Sequence, residues 1–214
     1  LAARNPRALL RHETVEALKA EAATFRKVRV VWQFFEAVPE GNAVHLFSPG
    51  APEPLHTFTF ERQRRPNGLC LADYVLPPKD GRRDHLALMV VTSGGGVRER
   101  AEAEKNAGRY VPSIGLQVLA LETAEATAEW LHRQIREDWG FPDPPTMTMK
   151  DRHTSRYRGK RYAFGYPACP NLNDQMGIWK LLRPEETGSR AALSAVAACA
   201  CGCSTSALSA KRAA

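Results

Sequence analysis

The sequence predicts an α+β fold, an antiparallel β-sheet covered by helices, from three observations. Short alternating apolar runs with short connections lie at residues 28–60, and an apolar segment at 85–96 ends in three glycines. Residues 114–139 then carry apolar side chains at helical spacing.

Residues 14–24 (TVEALKAEAAT) are helix formers with Val15, Leu18 and Ala22 on one face. Val28, Val30, Trp32 and Phe34 then alternate along a strand, PEGN at 39–42 is a turn, AVHLF at 43–47 returns antiparallel, and LHTFTF at 55–60 adds a third strand. The basic loop at 62–68 (RQRRPNG) reads as a solvated connection. In LCLADYVLPP at 69–78, Asp73 stands among apolar neighbours; a buried carboxylate needs partners, so it is a structural hydrogen-bond acceptor or a site residue, and the structural role is the one expected.

HLALMVVTSGGG at 85–96 reads as an interior strand feeding a tight turn and a helix at 97–107. The turn lacks the full spacing of a dinucleotide fingerprint and the Lys-Ser/Thr of a P-loop. Ile114, Val118, Leu121, Ala128, Leu131 and Ile135 predict a long helix packed on the sheet, with Glu122, Glu125, Glu129, Arg133 and Arg136 on its wet face. Gly140 and PDPP at 142–145 end it. A polar helical stretch at 149–158 and a short helix at 175–186 follow.

The 214 residues suffice for one sizeable core; 43% are hydrophobic and 25% charged, ordinary for a globular chain. No apolar run has the length of a membrane span and no secretory leader opens the chain, so the cytoplasm is the expected compartment. The formal net charge of +7 suits an acidic partner without choosing one. Cys70, Cys169, Cys199, Cys201 and Cys203 form no disulfide framework. After Gly188 the composition shifts to Ala, Ser and Cys with no acidic or aromatic residue, so 189–214 is expected to be a disordered or aberrant tail behind one domain at 1–188. A metal-thiolate cluster at C-x-C-x-C is the alternative there, without a histidine to support it.

The segment RYAFGYPACP at 161–170 concentrates the chemistry. Arg161 offers a planar fork of donors suited to a carboxylate, Gly165 lets a ligand approach the backbone, Tyr166 adds a ring with a polar tip, and Pro167 and Pro170 stiffen the exit. A packed turn is the plainer reading of the same residues. The surrounding window holds Lys150, Arg152, Arg156, Arg158, Lys160 and Arg161 with Tyr157, Tyr162 and Tyr166 between them, which is also the composition of a nucleic-acid groove, though no complete nucleic-acid motif accompanies it.

Arg-x-x-x-Gly-Tyr-Pro-Ala-Cys-Pro resembles the S-adenosylmethionine-binding signature of the activation domain of cobalamin-dependent methionine synthase. LCLADYVLPP, HLALMVVTSGGG, the helical stretch ending at Phe141 and IWKLLRPEETG ending at Gly188 resemble the same domain in the same order. The resemblance implies that Arg161 binds the methionine carboxylate, that Ala163 contacts the ligand through its backbone, that Gly165 admits the loop closely, and that Tyr166 faces the sulfonium.

It further implies a module supporting reductive methylation of cob(II)alamin to methylcobalamin within a methyltransferase. Cobalamin would be carried by a separate module, and electrons would come from flavodoxin or a related flavin reductase. No protein acid, base, nucleophile or metal is then required. Against the family pattern the chain looks truncated at both ends: a ligand-binding aspartate precedes its start, and a late tyrosine is missing. Weak or absent binding and no activity are therefore expected of this chain alone. A nucleic-acid module, and a flavodoxin-docking domain without ligand binding, are the alternatives.

Overall fold

The computed structural model describes residues 6–25, 27–187 and 195–201. Their elements are helix α1 (Pro6–Phe25), strands β1 (Lys27–Glu40), β2 (Ala43–Phe47), β3 (His56–Thr59) and β4 (Asp84–Gly95), and helices α2 (Val97–Asn106), α3 (Tyr110–Asp138) and α4 (Met149–His153). Strand β5 (Lys160–Ala163), helix α5 (Gln175–Leu182) and strand β6 (Ala195–Cys201) complete them. The strands make one antiparallel sheet in the order β3-β2-β1-β4-β6-β5, so the α+β expectation holds.

Strand β4 is buried on both faces, which is why its sequence is apolar nearly throughout. Leu86, Leu88 and Val90 join Phe35, Leu46, Phe58, Phe164 and Ile178 in one core, beneath a 3-10 turn at Leu71–Tyr74 and helix α5. Ala87, Met89 and Val91 face the other way, against Ala124, Ala128, Leu131 and Ile135 of α3. A third cluster joins Leu18 and Ala22 of α1 to Val97 and Ala101 of α2 and Leu116 and Ala120 of α3. Gly96, at φ 81° where β4 turns into α2, lies so close to Phe25 that a Cβ there would sit 3.1 Å from its ring; of the three glycines read as a turn it alone makes one, the other two continuing β4.

The face of α3 is corrected in its first half. Ile114, Val118 and Leu121 are 61%, 49% and 50% exposed, while Ser113, Leu116, Ala120 and Ala124 are buried. Alanines at this spacing let the helix backbone approach its neighbours closely, so packing distance, and not apolar volume, selects the buried stripe. Arg136, expected on the wet face, is 1% exposed.

The tail also differs from expectation in one place. Residues 195–201 form β6, pairing Leu86 with Cys201 on one side and Tyr162 with Cys199 on the other. Strand pairing uses backbone groups, and nothing in AVAACAC removes an amide donor as a proline would. Residues 188–194 and 202–214, with Cys203 of the cysteine triplet, lie outside the described residues.

Asp73 is the structural acceptor the sequence implied. Arg62 grips it with both terminal nitrogens, at 2.6 Å to Oδ2 and 3.0 Å to Oδ1, and the Cys70 N–H donates to Oδ2 at 3.0 Å. The basic loop, read as a solvated connection, is thus tied at Arg62. Replacing Asp73 with alanine is expected to cost about 1.5–3 kcal/mol, the range for hydrogen bonds to a charged group; the urea midpoint measures it.

Candidate functional site

The turn after β5 is built by local hydrogen bonds. The Gly165 N–H donates to the Cys169 carbonyl at 2.9 Å, the Cys169 N–H donates back to the Tyr166 carbonyl at 2.9 Å, and the Tyr166 N–H reaches the Ala163 carbonyl at 3.4 Å. The Cys169 thiol also donates to the Ala163 carbonyl, at 3.0 Å; burial, and then the Asp174 carboxylate, push its pKa up to about 11, so it stays a protonated donor. Gly165 sits at φ 94°, where a Cβ would meet Leu172 Cδ2 at 2.8 Å. Tyr166 is 59% exposed.

Of the residues singled out in the sequence, Ala163, Gly165 and Tyr166 are therefore brought together by backbone contacts. Arg161 is held differently. Strand alternation sends Arg161 and Ala163 toward α3, where Ala163 packs on its cluster, while Tyr162 and Phe164 go to the opposite core. On that opposite side a cleft of 270 Å³ opens between Arg62, Leu71, Tyr74, Tyr162, Pro167 and Ala168, and Arg161 does not line it.

On the α3 side the Arg161 NH1 lies 3.6 Å from Glu125 Oε2 and NH2 lies 3.5 Å from Glu129 Oε2, with the arginine side chain 16% exposed. Both contacts exceed the usual N–H···O length of about 2.7–3.2 Å. Arg161 Nε and Glu129 Oε1 are buried without a hydrogen-bond partner. The guanidinium is thus oriented by two carboxylates yet keeps donors uncommitted, the condition a carboxylate ligand requires. Sequence reasoning placed Glu125 and Glu129 in solvent; the signal for their role, carboxylates at i and i+4, acquires meaning only when α3 is known to face Arg161.

Behind this pair is a buried polar cluster. Arg136 donates to Asp143 through Nε at 2.7 Å and NH2 at 2.9 Å, and lies 3.9 Å over the ring of Tyr157. The His132 ring meets the same tyrosine edge-on at 5.1 Å. The Tyr157 hydroxyl stands 3.4 Å from both Glu129 Oε2 and Ser155 Oγ; burial raises its pKa, which keeps its proton in place. Burial would raise the Asp143 pKa, but Arg136 and Arg152 outweigh it, and the carboxyl is held below its ordinary value.

Burial, then the charges of Arg136 and Arg161, push His132 down to about 3. Its imidazole is neutral in the folded protein at neutral pH and must be protonated as the unfolded chain crosses its ordinary value near 6.5. Among the described residues no group of three or more His, Cys, Asp or Glu side chains is arranged to hold a metal ion.

The basic window does not form an open groove. Arg152 pairs with Asp143 at 3.4 Å, Arg156 with Asp151 at 3.4 Å, Arg158 lies 4.5 Å over Phe141, and Lys160 donates to the Ser155 carbonyl at 2.7 Å. Tyr157, one of the rings expected to stack on bases, is buried. No helix among the described residues is long and apolar enough to cross a membrane.

Comparison with known proteins gives a consistent picture. A family model described as the vitamin B12-dependent methionine synthase activation domain matches residues 8–212, running through the alanine- and cysteine-rich tail. The methionine synthase of Mycobacterium tuberculosis (strain ATCC 25618 / H37Rv) is 34% identical over 171 residues, covering 74% of this chain. That of Mycobacterium leprae (strain TN) is 33% identical over the same length. The chain spans 14% of the length of these relatives. A crystal structure of the MetH reactivation domain bound to AdoHcy superposes with a TM-score of 0.80 and 23% identity, covering 94% of this chain and 67% of that one; at this identity the likeness concerns the fold.

Two outcomes follow from the geometry. Gly165→Ala is expected to lower stability by about 1–3 kcal/mol, because its backbone lies where a side chain is strained and the new methyl meets Leu172; thermal unfolding reads it. Between pH 7 and 5 the protein is expected to lose stability as pH falls, by at most ~1.4 kcal/mol per pH unit for His132. The folded-state pKa is depressed, so stability is full above 6.5 and declines toward 3. His132→Gln is expected to shallow that slope in urea titrations without flattening it, since His56, also lowered by burial and by Lys180, acts in the same sense.

Proposed function

The chain belongs to the family of vitamin B12-dependent methionine synthase activation domains, and on that premise we propose that it binds S-adenosylmethionine through Arg161, Ala163, Gly165 and Tyr166. In this reading it is a module of a methyltransferase that acts in methionine synthesis, presenting the methyl donor to a cobalamin held by a separate module. Flavodoxin or a related flavin reductase supplies the electron, and the setting is the cytoplasm. When bound, S-adenosylmethionine supplies an electrophilic methyl group on a sulfonium.

The observation that carries the reading is the state of Arg161: a reachable guanidinium whose carboxylate neighbours stand at 3.5 and 3.6 Å and whose Nε is buried without a partner. A ligand carboxylate at ordinary hydrogen-bond distance fits the terminal nitrogens, whose present contacts are long; the buried Nε lies behind them. The Ala163 carbonyl is engaged by Tyr166 and Cys169, which fixes the backbone path beside the arginine. Gly165 keeps the turn free of a side chain, and the exposed Tyr166 ring is available to a cationic sulfonium, a contact worth roughly 0.5–2 kcal/mol. The residues named here bind and orient; none is asked to transfer a proton or form a covalent bond.

Titrating the isotope-labelled chain with millimolar S-adenosylmethionine is expected to move the amide resonances of residues 161–166. Arg161→Ala is expected to weaken that response at least ~tenfold, the loss of one charge-assisted pair. Resonances that stay still at saturating ligand, or an Arg161→Ala variant that responds like the parent, would overturn the reading.

A further inference from the structure

We propose that Glu129 and Tyr157 are positioning residues for Arg161, forming a relay of contacts that fixes the plane of its guanidinium before any ligand arrives. The inference rests on the assignment of Arg161 as the carboxylate-binding residue and extends it inward, to side chains that do not themselves meet the ligand.

The relay reads from the interior outward. Asp143 holds Arg136 by two hydrogen bonds, and Arg136 lies 3.9 Å over the Tyr157 ring, whose edge is closed by His132 at 5.1 Å. A buried ring fixed on two sides places its hydroxyl, and that hydroxyl lies 3.4 Å from Glu129 Oε2 and equally 3.4 Å from Ser155 Oγ. The same oxygen stands 3.5 Å from Arg161 NH2. Glu129 thus stands between an internal hydroxyl and the arginine, and the two contacts together favour one direction of its carboxylate.

Glu125, the other carboxylate at Arg161, is 43% exposed against 31% for Glu129. A long side chain free in water samples many rotamers and defines a partner's direction poorly, whereas one tied to a buried hydroxyl defines it well. Preorganisation of this kind reduces the ordering cost that a ligand carboxylate would otherwise meet.

The test uses the complete chain with Glu129→Gln, which keeps the shape and removes the charge, and Tyr157→Phe, which keeps the ring and removes the hydroxyl. Two ligands are compared: S-adenosylmethionine, and decarboxylated S-adenosylmethionine, which lacks the group Arg161 would hold. Glu129→Gln is expected to weaken the first by about tenfold and Tyr157→Phe by about threefold, with the second unchanged, because the lost direction at Arg161 is felt only by a ligand that carries the carboxylate and outweighs the repulsion relieved when the Glu129 charge is removed. Equal weakening of both ligands by either variant would show a general structural role and overturn the proposal.

Solvent exchange of the Arg161 Nε–H, followed by NMR without ligand, supplies an independent reading. Faster exchange in both variants is expected, and unchanged exchange would also overturn it. If the parent chain binds neither ligand while exchange accelerates in the variants, the relay stands and the assignment of the ligand falls.

Discussion

The buried pair of Arg136 and Asp143 is the contact on which the site depends. Arg136 ends the buried stripe of α3, and Asp143 lies in the irregular segment that follows, so their two hydrogen bonds tie a helix end to the chain that returns toward β5. Arg152 of α4 adds to the same carboxylate, and the Phe141 N–H donates to the Arg136 carbonyl at 3.0 Å. In such a pair, desolvation consumes much of the Coulomb attraction, so its value lies less in net stability than in register; breaking one side alone is costly, at about 3–5 kcal/mol. Arg136 then offers its flat face to Tyr157, and the order imposed at Asp143 reaches the residues beside Arg161.

Much of the fold was legible because the relevant signals are local. The double-sided burial of β4 shows as an unbroken apolar run, the hairpin between β1 and β2 as PEGN, and the end of α3 as Gly140 with the prolines after it. The start of α4 follows the same logic: Thr148 accepts from the Asp151 N–H at 3.2 Å while Asp151 accepts from the Thr148 N–H at 3.0 Å, a reciprocal cap that needs residues only three apart. What failed was the choice between two stripes on α3. Volume favours Ile114, Val118 and Leu121; the sheet and the neighbouring helices accept Ala120 and Ala124 because the helix must come close. The distance between layers is a tertiary quantity, and no periodicity contains it.

The candidate site divides in the same way. Its turn, with a glycine at positive φ and prolines at the exit, is encoded within ten residues and was readable there. The surroundings of Arg161 were not, because the carboxylates facing it lie more than thirty residues earlier and belong to a helix whose exposed face they appeared to define. β6 is a stronger case. A stretch of alanine and cysteine carries little side-chain information, yet in the sheet it stands between β4 and β5, so the strand bearing Arg161 is hydrogen-bonded to the rest through it.

The net charge of +7 is where composition and structure part most sharply. A nucleic-acid groove needs cations that remain free for phosphates and rings that remain free for bases. In the most basic window Arg152, Arg156 and Arg161 face carboxylates, Arg158 covers an aromatic ring, Lys160 bonds a carbonyl, and Tyr157 is enclosed. Those cations hold the segment after α3 in place, which is an internal use of charge. Arg161 differs from these in degree: its carboxylates stand at 3.5 and 3.6 Å and its Nε is buried without a partner, a state shared by Arg136 NH1 in the cluster behind it. Around Arg161 the two carboxylates stand far enough off to leave room for one more acceptor at the terminal nitrogens, which is the opening the proposed ligand would use.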